Sequence, residues 1–178
     1  PAKQAAKDAL DKAAETKKQT ITADNTLTEE EKTAAKNAVD RELRTASDAV
    51  DAATDNAGVE SAKTAGEEAI NAVTVATPAK QAAKDALDKA AETKKAEIAS
   101  NSKLTAEEKA EETRKVEEAL TSAKQEVEKA TTNAAVASAK TAGKEAINAV
   151  TTETPAKQAA KEKLAQAAET KKQTITAD

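Results

Sequence analysis

Apolar residues fall at steps of three and four along most of the chain, which is the spacing of one face of an α-helix. The first stripe is Ala6, Leu10, Ala13, Ala14 and Ile21, with Lys17 filling one place, and it predicts a helix from Pro1 to about Ala23. The second stripe is Ala35, Val39, Leu43, Ala46, Val50 and Ala53, echoed later by Val116, Leu120, Ala123, Val127 and Ala130. Alternating steps of four and three make a narrow seam of the kind found in coiled coils. The third stripe is Val59, Ala62, Gly66, Ala69, Ile70 and Val73. Gly66 and Gly143 lie inside it. A mid-helix glycine costs roughly 1 kcal/mol relative to alanine. Its recurrence on the apolar face predicts close approach of a neighbouring helix, against the alternative of a tolerated weak point.

Start signals sharpen these boundaries. Thr28 is followed three residues later by Glu31, and Thr105 by Glu108. This is a capping box, in which hydroxyl and carboxylate each satisfy an orphan amide at the helix start. Leu27 and Leu104 stand just before the boxes and are expected to close one end of the core. Pro1, Pro78 and Pro155 suit the first helical position, which needs no amide hydrogen, with Thr77 and Thr154 expected as the caps before them. Asp55, Asn56 and Gly58 mark the turn between second and third helices. The later copy has Asn133 but Ala135 in place of the glycine, so the turn is expected to rest on asparagine.

The stripes repeat because the sequence does. PAKQAAKDALDKAAETKK runs from Pro1 to Lys18 and again from Pro78 to Lys95, and PAKQAAK opens once more at Pro155, a spacing of 77 residues. SAKTAG begins at Ser61 and Ser138, and EAINAVT at Glu68 and Glu145. The predicted division is residues 1–77, 78–154 and 155–178, the last being the first helix of a third repeat or a completion of the preceding bundle. The fold class is all-α: tandem three-helix bundles. An odd helix count brings the chain in at one end of a bundle and out at the other, so successive bundles are expected to stack end to end as an elongated rod. A proline pushes the residue before it out of the helical region, so a short break is expected at Thr77–Pro78. The chain is expected to be a segment of a longer array.

Composition narrows the function classes. There are 47 Ala but only 21 Leu, Ile and Val together, and 34% of residues are charged, with a net charge of −4. That balance belongs to long helices, and it overlaps with disordered chains of the kind that protect against drying. The capping boxes and the seam favour the folded alternative. Cys, His, Met, Phe, Tyr and Trp are absent. Without His or Cys the usual zinc sites and the Ser–His and Cys–His nucleophile systems have no ligands or base. Without aromatics there is no stacking platform for bases, and an acidic balance suits no phosphate backbone, so no nucleic-acid partner is expected. No apolar run is long enough to span a membrane. Tightly packed alanine seams are expected to leave no pocket.

The candidate ligand groups read more simply as structural. Glu29, Glu30 and Glu31 sit in the first turn of a helix, where carboxylates suit the positive end of the dipole. Asp51, Asp55, Asn56, Gly58 and Glu60 do not match the alternating twelve-residue spacing of a calcium loop. The pairs Lys17–Lys18, Lys94–Lys95 and Lys171–Lys172 suit a helix C-terminus, with a polyanion such as a teichoic acid as the sharper alternative. No catalytic, cofactor-binding or metal-binding residue is assigned, and no cofactor is expected.

The pattern AKxAAxxALDxAAETKKxxI, then LTxEEK, then VxxAKTAGxxAINAV resembles the all-helical repeat of unknown function found in large wall-anchored surface proteins of Gram-positive staphylococci and streptococci, including extracellular matrix-binding proteins. The resemblance covers the whole chain and agrees in period. It implies an extracellular, cell-wall-anchored location and a stalk role in adhesion or aggregation, and it carries over no catalytic residue. The expected function is therefore a non-enzymatic spacer that projects an adhesive head from the wall, as a monomer. The alternative is that the repeats themselves bind host matrix proteins or neighbouring cells, in adhesion or biofilm, with repetition supplying avidity.

Overall fold

The computed structural model describes residues 1–151 and 155–177, with side chains of the last segment described to residue 175. Among the described residues the chain forms seven α-helices and no strand: α1 Ala2–Ala23, α2 Glu29–Ala52, α3 Asn56–Ala72, α4 Ala79–Ser100, α5 Ala106–Lys129, α6 Asn133–Asn148 and α7 Ala156–Ala177. It divides into two compact units, one of residues 1–82 with 130–136, the other of residues 83–129 with 137–178.

In the first unit α1, α2 and α3 pack around a single core. Leu10, Val39, Val50 and Ile70 are fully buried, and Ala6, Ala14, Ala35 and Ala46 complete the seam. Each fully buried aliphatic side chain contributes roughly 1.5–3 kcal/mol of transfer free energy, and the alanines between them let the helices approach. Lys7 pairs with Asp51 and Lys18 with Asp40, so α1 and α2 run antiparallel. Leu10 faces Gly66, and Lys17 donates to the Asn71 carbonyl, so α1 and α3 run parallel. This up-down-up order places the start of α1 and the end of α3 at opposite ends of the bundle. Leu27, 8% exposed, closes the α1–α2 end as the sequence predicts.

The second unit repeats the arrangement. Leu87, Val116, Val127 and Ile147 are fully buried, and the pairs Lys84–Glu128, Asp88–Lys124 and Lys95–Glu117 set α4 and α5 antiparallel. One substitution breaks the seam. Glu112 occupies the place of Ala35 and is only 4% exposed. Helix α7 has a different environment. Leu164 and Ile175, which correspond to Leu10 and Ile21, are 71% and 65% exposed.

The predicted glycine contacts are real. A Cβ at Gly66 would collide with Ala46 Cβ and lie 2.7 Å from Leu10 Cδ2, and one at Gly143 would lie 2.5 Å from Ala123 Cβ and 2.8 Å from Leu87 Cδ2. Three local expectations need correction. Pro1 is the N-cap of α1, one place before the first helical position, because its carbonyl already accepts the first intrahelical bond, from Ala5. Thr77 is exposed and does not cap α4; the Ala79 amide goes to Glu31 instead. Thr154 lies outside the described residues. The turn into α3 rests on neither Asn56 nor Gly58 as a conformational device. Asp55 is the N-cap, its carboxylate accepting from the Gly58 amide at 2.7 Å, and Thr132 does the same for Ala135 at 3.1 Å. A side chain that can accept is what both copies share, with Gly58 in one and Ala135 in the other. The break before Pro78 is present: residues 73–78 are not helical.

Candidate functional site

The groups that could carry chemistry are engaged in helix ends and surface ion pairs. Glu29 pairs with Lys32, Asp51 with Lys7, and Glu60 with Lys63. Glu60 beside Lys63 raises the ammonium pKa. Glu111 and Glu118 flank Arg114 and raise its pKa further, and the guanidinium in turn holds the Glu111 carboxyl below the usual carboxylate range. Exposed pairs of this kind contribute little to stability, because solvent screens them. Among the described residues no group of three or more His, Cys, Asp or Glu side chains comes together as a metal site. The faint calcium-loop pattern is taken apart by the fold, with Asp55 capping α3 and Asp51 reaching α1.

The first two basic pairs do reach helix C-termini, but the termini belong to a neighbour, while Lys172 of the third pair lies 3.9 Å from Glu169 of its own helix. Lys17 donates to the Asn71 carbonyl in the last turn of α3 at 2.8 Å, and Lys94 to the Asn148 carbonyl at the end of α6 at 3.0 Å. Lys3 does the same for α2, donating to the Asp51 carbonyl at 2.7 Å. The second member of each pair, Lys18 or Lys95, bridges to Asp40 or Glu117 across the bundle.

The most specialised geometry lies at the α1–α2 end of each repeat. Asp24 folds the chain after α1, its Oδ1 accepting from the Thr26 hydroxyl at 2.6 Å and the Thr26 amide at 2.8 Å, and these bonds hold its carboxyl below the usual range. Asn101 plays the same part toward the Lys103 amide. The capping boxes then form as predicted: Thr28 Oγ1 accepts from the Glu31 amide, and Glu31 Oε2 accepts from the Thr28 amide at 2.8 Å, with Thr105 and Glu108 in the same relation. The bond from the Thr105 amide, joined by one from Ala156, holds the Glu108 carboxyl below the usual range. A recess of about 270 Å³ opens beside Lys17, Asp24, Val73 and Val75, where the sequence argues for none. It arises because the stripe of α1 ends at Ile21 while Val73 and Val75 sit past the end of α3.

A family model described as Domain of Unknown Function (DUF1542) matches the chain twice, over residues 2–78 and 79–155. The chain belongs to this family. No curated protein and no solved structure matches it. The two DUF1542 matches abut without a gap, in step with the sequence repeat, and α1–α3 supply the helices of the first match as α4–α6 supply those of the second. The family carries no enzymatic assignment. Among the described residues no helix of these DUF1542 repeats is long and apolar enough to cross a membrane.

Two structural features of the DUF1542 repeat escape sequence reasoning. One is the second oxygen of Glu31 and Glu108, which reaches 48 residues along the chain. The other is the lysine bond to a neighbouring helix end. Both involve backbone partners, which leave no side-chain signature.

Proposed function

We propose that these DUF1542 repeats are a non-enzymatic structural spacer of a bacterial cell-surface adhesin, extending an adhesive head from the wall. The observation that carries the reading is the topology within a repeat, which enters at one end and leaves at the other, in a chain where the unit recurs in unbroken succession. A unit of that kind adds length with each copy. Many charged side chains serve helix ends and ion pairs, and the polar faces have no cluster of aromatics and arginine of the kind that dominates binding interfaces. An extracellular, wall-anchored location belongs to the same proposal, as does the monomeric state.

The test exchanges the repeats for an unrelated helical rod of equal length in the surface protein that carries them. Adhesion should be retained, and deletion of the repeats should weaken it. The purified chain should show no saturable binding to fibrinogen, fibronectin or whole cells. Saturable binding that grows with repeat number would replace the spacer with a matrix- or cell-binding module.

A further inference from the structure

A capping box needs only one oxygen of its carboxylate. Here the second oxygen has a partner in the next repeat. Glu31 Oε1 accepts from the Ala79 amide, the first of α4, at 2.6 Å, while Oε2 holds the Thr28 amide at 2.8 Å. Glu108 repeats this with the Ala156 amide of α7 at 2.6 Å and the Thr105 amide at 2.8 Å. A lysine follows in both places. Lys80, 6% exposed, donates to the Asn25 carbonyl at 3.0 Å, and Lys157 to the Ser102 carbonyl at 3.0 Å. At the first boundary a second segment joins: Asn133 accepts from the buried Thr28 hydroxyl at 2.7 Å and gives its amide to Glu30 at 3.1 Å. The helix start of the following repeat is thus held by atoms of the preceding one, in two independent copies.

We infer that the α1–α2 end of each repeat is a receptor for the Pro-Ala-Lys start of the following repeat, with Glu31 and Glu108 as its selective residues. One carboxylate caps two helices, its own and its neighbour's, so order in one repeat is tied to order in the next. Repeat arrays are stabilised by such nearest-neighbour terms. The chemistry explains why the position holds glutamate. Glutamine also serves a capping box, but the two amides sit on different carboxylate oxygens, so with glutamine in the same place its NH₂ would face one of them. The inference stands on these hydrogen bonds and is independent of what the repeats project.

Two substitutions in the full chain separate the two roles. Glu31→Gln removes one acceptor. Ala79→Pro removes only the donor, since proline is accepted at the first helical position and lacks the N–H. Native-state hydrogen exchange should show the Ala79 amide protected in the parent chain and roughly tenfold less protected in Glu31→Gln, the scale of a hydrogen bond to a charged group. Ala79→Pro should speed exchange in the first turn of α2, and should have no further effect when Glu31→Gln is already present. Unchanged protection of Ala79 in Glu31→Gln, or fully additive effects of the two substitutions, would overturn the inference. If Glu31→Gln does not fold, Glu108→Gln and Ala156→Pro put the same question at the second boundary, read at the Ala156 amide.

Discussion

At the scale of single residues, the sequence carries its meaning where a side chain acts on its own helix, and loses it where the partner is backbone from elsewhere. The capping boxes are legible because both members lie within one turn. Their weights differ, which only the fold reveals. Thr28 is fully buried and also donates to Asn133, whereas Thr105 serves its cap alone. Thr105→Ala should therefore destabilise by about 1 kcal/mol, the usual worth of an N-cap. Thr28→Ala should cost about 2 kcal/mol, since it also removes the second hydrogen bond, to Asn133; thermal melts of the two variants compare them, and equal shifts would mean that this second bond contributes nothing. Gly66 was legible as a close approach because it falls on the stripe. Gly66→Ala gains about 1 kcal/mol in helix propensity, but the new Cβ meets Ala46 Cβ, which has no freedom to move aside. Overpacking of about 1–3 kcal/mol should win, so denaturant midpoints should fall for Gly66→Ala and further for Gly66→Leu. Glu108 adds a pH dependence. Its carboxyl lies below its ordinary value of 4.5 in the folded chain, so its contribution is complete above that pH and is lost as pH falls through the depressed value. Glu108→Gln should flatten the loss of stability below about pH 4.5, with little change in slope between pH 5 and 7.

At the scale of elements, helix existence and facing were readable because alanine-rich stripes alternate with charge in a single period. Ala6, Leu10, Ala14 and Ile21 are buried as the spacing predicts, and Lys17 takes its place in the stripe as a rim residue whose ammonium reaches the end of α3. Boundaries were less readable. The start of α4 is capped from Glu31, a residue 48 positions away, so no local signal marks it. Glu112 is the clearest conflict between local pattern and packing, a carboxylate in the seam of α5 where α2 has Ala35. A polar side chain packed into the seam fits there less favourably than a small apolar one. Glu112→Ala should stabilise the second unit by about 0.5–2 kcal/mol, seen as a raised melting temperature, and Ala35→Glu should lower that of the first. No gain from Glu112→Ala would mean that the carboxylate has a stabilising role in α5.

At the scale of the whole molecule, the proposed spacer role requires each DUF1542 repeat to add length. The sequence announces this through its period and its odd helix count, and the up-down-up order inside the first unit agrees with it. What the period does not announce is how one repeat holds the next, because the amides of Ala79 and Ala156 are invisible in a side-chain pattern. The central claim is that repeats add length. It is tested most directly by small-angle X-ray scattering of the purified chain at neutral pH. A helix of 24 residues spans about 36 Å at 1.5 Å per residue, so two repeats with the additional helix should give a maximum dimension on the order of 80–120 Å. The pair-distance distribution should have the long tail of an extended particle. A symmetric distribution ending near the size of a compact 178-residue globule, roughly 40 Å across on the usual radius-of-gyration scaling, would contradict the proposed spacer role.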